Sequence, residues 1–189
     1  MPGIRLSRRD GEIELWKLLT MVVSGRSSGK SRFKSRGLRV KLWISGKGEL
    51  QEVLAARIAS AGAQDSVRML GFMDFAPWAF LLGQCDVGFN SALPEAMIFL
   101  PNKFFYYLAA GLTIMNSVPG HCSQVVSQGD CGLNYRPGDC IDCSQKLLAL
   151  FGDLRSMSSC KLRSRALACE VYDRRVIYGQ YAHMIEEIF

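Results

Sequence analysis

From Val40 onward the chain repeats one unit: a short apolar run, a glycine or polar turn, then a helical stretch. The apolar runs are Val40 to Ser45, Val67 to Leu70, Asp86 to Asn90, Thr113 to Ser117 and Gly132 to Tyr135. Between them, helical stretches run from the Gly46-Lys47-Gly48-Glu49 turn to about Ala61, from Phe75 to Gln84, from Pro101 to Ala110 and from His121 to Gln128. Cys140 to Leu150 continues the pattern, and a last long helix is expected from about Ser158 to Ile188. Proline suits the first helical position at Pro101, where its missing N–H costs nothing. Near-continuous apolar strands alternating with helices define βαβ units, and right-handed crossovers close these into a parallel sheet covered on both faces. The expected fold class is therefore α/β, a Rossmann-like parallel sheet of five strands flanked by helices. Ligands of such sheets bind at the carboxyl ends of the strands. Those ends are Gly46-Lys47-Gly48, Gly71-Phe72, the segment from Asn90 to Leu100, and Ser117 to His121.

The first 39 residues read differently. Ile13, Leu15, Trp16, Leu18, Leu19 and Val22 recur at helical spacing and predict an amphipathic helix over Glu12 to Val23. Ser24 to Leu38 has no period and reads as a long Gly/Ser/Arg-rich loop. The expected organisation is a divergent or partly ordered segment over residues 1–39 and one folded domain over residues 40–189.

The net charge of +6 is uneven, because seven cations and no acid lie between Arg26 and Lys41. A second basic stretch runs from Arg155 to Arg165. Solvated loops and an anionic membrane surface are both compatible with this. Nucleic acid is not expected, since Phe33 is the one aromatic in the first stretch and a single-strand binder needs a stacking platform. With 49% hydrophobic and 21% charged residues the chain has material for a real core. No apolar window reaches the roughly 18 residues of a membrane span, and the N-terminus lacks a signal-peptide pattern. The expected location is the cytoplasm, with peripheral attachment to the inner face of the membrane as an option. Seven irregularly spaced cysteines fit free thiols acting as small hydrophobes.

Two motifs are set aside on spacing. Gly25 to Lys30 resembles a P-loop but has three residues between its glycines where four are needed. Cys140 and Cys143 form a CxxC without a second close pair, so no metal is expected. The segment Asn90 to Gly111 carries more chemistry. Its helix opens at Pro101-Asn102-Lys103, where unpaired backbone N–H groups, the positive end of the helix dipole and the Lys103 ammonium suit a diphosphate. An ordinary capped helix with a surface lysine fits the same residues. Glu95 lies in the loop before it, as a solvated residue or a sugar contact. His121 lies just past Val118-Pro119-Gly120, within reach of phosphate or sugar, and His183 reads as helix filler.

The run from Pro101 to Ile114 resembles the "PNKxFEYLAAGxPxI" signature of the bacterial group 1 GT-B glycosyltransferases. Leu42 to Glu49 is similar to that family's "GxGE/P" strand and turn, Val67 to Phe72 to its "VxFLG" strand, and Cys85 to Ser91 to its "ADVxxxPS" strand. Gly129 to Tyr135 and Pro137-Gly138-Asp139 resemble its "GxxGxxY/V" and "PGD" segments. The resemblance spans about Val40 to the C-terminus. It implies the C-terminal, nucleotide-sugar-binding lobe of a two-lobed enzyme, without the N-terminal lobe that holds the acceptor. It further implies a UDP- or GDP-linked sugar as substrate, no separate cofactor, and transfer to a surface-polysaccharide or lipid-linked acceptor. Gly46, Gly48 and Gly71 would allow close approach of the nucleotide. Pro101, Asn102 and Lys103 would hold the diphosphate, with Glu95 and His121 near the sugar. The family's ribose-gripping carboxylate is replaced here by Tyr106, which offers one hydroxyl where a carboxylate clamps two. The family's basic pair has candidates in Arg26 and Lys30, but these lie too close to Val40 for the usual intervening helix and are not expected to serve. A missing lobe implies a partner lobe or subunit, and Val171, Ile177, Tyr181 and Ile185 are expected to offer it an exposed apolar face. A non-catalytic nucleotide-binding or interaction module derived from the same fold is the alternative that Tyr106 favours.

Overall fold

The computed structural model describes residues 20–24, 40–95 and 100–187. Among the described residues six strands form one sheet in the order β3-β2-β1-β4-β5-β6. They are β1 (Thr20–Ser24), β2 (Lys41–Ser45), β3 (Val67–Gly71), β4 (Val87–Asn90), β5 (Thr113–Asn116) and β6 (Gly132–Asn134). The helices are α1 (Gln51–Ser60), α2 (Phe75–Gly83), α3 (Asn102–Ala109), α4 (His121–Gln128), α5 (Cys140–Gly152), α6 (Leu154–Glu170) and α7 (Arg174–Glu186). All five expected strands are present, and β2–β3, β4–β5 and β5–β6 pair in parallel. The fold is α/β and Rossmann-like.

Three local expectations are corrected. Residues 20–23, expected as the end of a helix, form β1, held by backbone pairing with Lys41–Ser45 on one side and Val87–Phe89 on the other. The rest of that expected helix, and the loop expected after Ser24, lie outside the described residues. As a sixth strand β1 sits between β2 and β4, antiparallel to both. Antiparallel neighbours need no helical crossover, which fits the short stretch between Ser24 and Val40. Pro101 stands at the N-cap of α3, with extended backbone, one position before the first helical residue. The expected last helix is two, α6 and α7. Asp173 breaks it by turning extended and accepting the Arg175 N–H, the N-cap role that short acceptor side chains prefer.

The main core lies around β4 and β5, in which every residue is buried. Phe104, Tyr107 and Leu108 of α3 pack there with Leu112, Ile114, Val118, Val126 and Cys131. Gly88 lets α3 approach, since a Cβ there would meet the Tyr107 ring at 2.6 Å. A tight C-terminal turn ends α3: Gly111 N donates to Leu108 O, Leu112 N donates to Tyr107 O, and Gly111 has a φ of +66°. Helix α6 covers one face and is pinned by polar contacts. Ser164 Oγ donates to Leu112 O at 2.6 Å, Thr113 Oγ1 to Met157 O at 3.1 Å, and Lys161 pairs with Asp86 at 3.0 Å.

All seven cysteines are unbridged. Burial pushes the Cys85 thiol up to about 12 and those of Cys131 and Cys143 up to about 11. Protonated thiols of this kind are poor nucleophiles and poor metal ligands. No helix among the described residues is long and apolar enough to cross a membrane.

Candidate functional site

Parallel strands β2 to β6 all end on one edge of the sheet, and each is followed by a turn into a helix. Three successive strands, β4, β5 and β6, finish on asparagine, and their pairing sets Asn90, Asn116 and Asn134 side by side. Their side chains form a hydrogen-bonded row. Asn90 Nδ2 donates to Asn116 Oδ1 at 2.8 Å, and Asn116 Nδ2 donates to Asn134 Oδ1 at 2.7 Å. Asn116 also grips the chain that leaves β5, donating to Val118 O at 2.8 Å and accepting from Val118 N at 3.2 Å. Asn134 Nδ2 reaches Ser123 O in α4 at 2.9 Å. The row therefore fixes where the β5–α4 loop and α4 begin. Asn90 Oδ1 is buried with no hydrogen-bond partner among the described residues.

The loop after β4 is fastened to the same edge. Ala92 N donates to Ser117 Oγ at 2.8 Å, and Tyr135 Oη donates to Ser91 Oγ at 2.8 Å. Glu95 lies exposed just beyond these anchors. The sequence reading missed this asparagine row, although a signal was legible: three apolar runs each carry an asparagine at their last or next-to-last position.

Helices α3 and α4 both begin at this edge, and neither has a side-chain cap or an acidic residue in its first turn. By contrast α5, α6 and α7 are capped by Asp139, Asp153 and Asp173. At α3 the uncapped start carries Asn102, exposed, and Lys103, partly buried. Burial pulls the Lys103 ammonium down to about 8, since a cation that loses its water is less readily held. At α4, Gly120 adopts φ +73° and ψ −132°, a conformation open essentially to glycine alone, and so delivers His121 at the helix start. His121 Nε2 and the Tyr172 hydroxyl lie 3.3 Å apart, which links the α6–α7 corner to this edge.

The glycine turns occupy the other end of the edge. Gly46 N donates to Gly71 O at 2.8 Å, so the turns after β2 and β3 are joined, and Gly48 is exposed with open space around it. Tyr106 is 43% exposed, and its ring is met by Trp78 edge-on at 5.1 Å and by Phe75 at 5.8 Å. It stands in an aromatic cluster, with no acid among the ring contacts. His183, on α7, pairs with Glu187 at 3.4 Å and is remote in sequence and element from this edge. Among the described residues no group of three metal-ligating side chains occurs.

The structure is similar to HepE from Anabaena in complex with UDP, with a TM-score of 0.64 and 19% identity over 72% of this chain and 36% of that one. It is similar to a glycosyltransferase from Rickettsia africae, with a TM-score of 0.63 and 15% identity over 77% of this chain and 39% of that one. The pneumococcal O-GlcNAc transferase GtfA, in complex with UDP and GlcNAc, matches with a TM-score of 0.61 and 18% identity over 77% of this chain and 29% of that one. At such identities the likeness is one of fold, and the matched region is well under half of each of these proteins. No curated protein matches the sequence. Residues 30–153 match the family described as glycosyl transferases group 1, which is well over half of the 189 residues. The chain belongs to the group 1 glycosyl transferases.

Proposed function

We propose that this lobe binds a nucleoside-diphosphate sugar, UDP-linked in the first instance and GDP-linked as the option, for transfer to a surface-polysaccharide or lipid-linked acceptor. The observation that carries the reading is Lys103, desolvated at the uncapped start of α3 on the carboxyl edge of a group 1 glycosyltransferase fold. The Asn102 and Lys103 amides and the Lys103 ammonium hold the diphosphate and stabilise the negative charge that grows on it as the glycosidic bond breaks. Pro101 sets the entry of the chain into that helix. Gly46, Gly48 and Gly71 admit the nucleotide, Tyr106 lies at the ribose, and Glu95 and His121 face the sugar side. HepE and GtfA were solved with UDP, which supports UDP as the first ligand to test.

The acceptor is held by a second lobe or a partner subunit, working at the cytoplasmic face of a membrane. The described residues of α7 support a partner: Ile177, Tyr178, Tyr181, Met184 and Ile185 recur at helical spacing and are all exposed. A second reading, a non-catalytic nucleotide-binding or interaction module, rests on Tyr106 standing among Phe75 and Trp78 instead of presenting a carboxylate.

Calorimetric titration with UDP and GDP, on wild type and Lys103→Ala, tests the proposal. Removing a charge-assisted contact to a phosphate is expected to weaken UDP binding by about tenfold or more. Equal affinity in both proteins removes Lys103 from the site. Absence of binding by either nucleotide sinks the donor-binding reading and gives the lead to the interaction module.

A further inference from the structure

Helix α1 buries none of its residues. Between it and the strands lies a hollow of about 310 Å³. Packed interiors hold few voids larger than a water molecule, whereas small-molecule pockets begin at about 300 Å³. The walls are aliphatic: Ile44, Leu54, Ile58, Val67 and Met69 face the space. Among the described residues that line it, the charged ones, Lys47 and Arg57, are cationic. Lys47 is exposed, at the mouth next to the Gly46 and Gly48 turn.

We propose that this hollow binds a single acyl chain with an anionic head, the tail lying against Ile44, Leu54 and Met69 and the head at Lys47. A nucleotide is a poor occupant, since it offers several polar groups to walls that have almost none to answer them. A cationic amphiphile is disfavoured by Lys47 at the mouth. A second macromolecule would have to thread a space closed on one side by the sheet. The hollow borders the nucleotide placement proposed above, since Gly46, Gly48 and Gly71 line both, but none of the diphosphate contacts is used.

The test is binding of the saturated carboxylates from hexanoate to tetradecanoate, kept below micelle concentrations, to the full chain by calorimetry. Affinity is expected to rise by about fourfold per methylene while the tail remains inside, then level off where the hollow ends. Leu54→Trp, which places an indole in the space, is expected to abolish dodecanoate binding. Lys47→Glu, at an exposed residue whose ammonium lies 5.9 Å from the Phe72 ring centroid, is expected to weaken dodecanoate several-fold and to favour dodecyltrimethylammonium instead. Thermal melting of each variant checks that it folds. A free fatty acid and a membrane lipid present the same chemistry. Co-sedimentation with phosphatidylglycerol vesicles that Leu54→Trp reduces assigns the tail to a membrane lipid, and dodecanoate binding without co-sedimentation assigns it to a free acid. No dodecanoate binding overturns the proposal, as does binding that Leu54→Trp leaves unchanged, or equal affinity for the cationic amphiphile. UDP displacing dodecanoate and itself lost in Leu54→Trp overturns it too, by giving the hollow to the nucleobase.

Discussion

Every residue of β4 and β5 is buried, whereas β3 has none buried and β2 only Ile44 and Ser45. The helices repeat the contrast. Phe104 on α3 is 0% exposed, while Phe80 on α2 is 73% exposed. Helix α2 is apolar almost throughout its length, yet Leu82 is its one buried residue. A helix apolar on all sides normally belongs inside a protein. The two halves of the sheet therefore do different jobs. The half built on β4 and β5 is sealed at those two strands, although β6 at its edge has no buried residue, and it carries the asparagine row and two uncapped helix starts. The β2–β3 half is open, with a hollow under α1 and aromatic rings at its surface. Precise polar positioning belongs to the first half, and exposed apolar surface to the second.

The sharpest way to break this contrast is Asn116→Ala. The change removes four hydrogen bonds at once, two given and two received, in a place where Asn116 itself is 1% exposed. Each is worth about 1 kcal/mol, and the amide groups left behind lose their partners in a buried setting. The expected loss is about 3–4 kcal/mol in urea unfolding. A loss near 1 kcal/mol would mean that the row is slack, and the sealed half would no longer explain how α4 and His121 are placed.

A smaller effect is expected from pH, and it reads the sealed half through its cation. Lys103 is held near 8 by burial. It is protonated below that pH and loses its charge as pH rises through it, so UDP affinity should be full at pH 7 and fall by about tenfold by pH 9. The sign follows from the ligand, which is anionic and binds the charged lysine. Binding should take up a proton near pH 8, visible as a dependence of the calorimetric heat on buffer ionisation. In Lys103→Ala the pH profile should be flat across this range. A wild-type affinity that is also flat would place the ammonium away from the phosphates.

The sequence made the sealed half easy to read. Its strands are unbroken apolar runs, its turns close on glycine, and Pro101-Asn102-Lys103 marks a helix start without any three-dimensional knowledge. Even Asp139 follows the pattern, since the Pro-Gly-Asp run supplies a positive φ at Gly138 and then a cap for α5. Two things were not legible. Thr20 to Ser24 carries apolar residues at a spacing that suits helix and strand alike over so short a run, and only pairing with Lys41–Ser45 and Val87–Phe89 decides between them. The aromatic setting of Tyr106 joins residues from α2 and α3, a contact that no local spacing encodes. Lys103 is legible as a cation at a helix start, but its lowered pKa depends on packing that forms only when α3 docks on the sheet.

The least costly change tests whether the open half stays open. Phe80→Ser on α2 removes a ring that is mostly in solvent, and surface substitutions of this kind stay within about 0.5 kcal/mol. Urea unfolding of the full chain should therefore show almost no shift, and solubility should rise as an exposed apolar group is lost. A destabilisation of about 2 kcal/mol or more would place the ring in a packed environment. The apolar surface of α2 would then be covered in the full chain or by a second copy. Dilution separates these outcomes, because cover by a second copy makes the stability depend on protein concentration and cover within one chain does not.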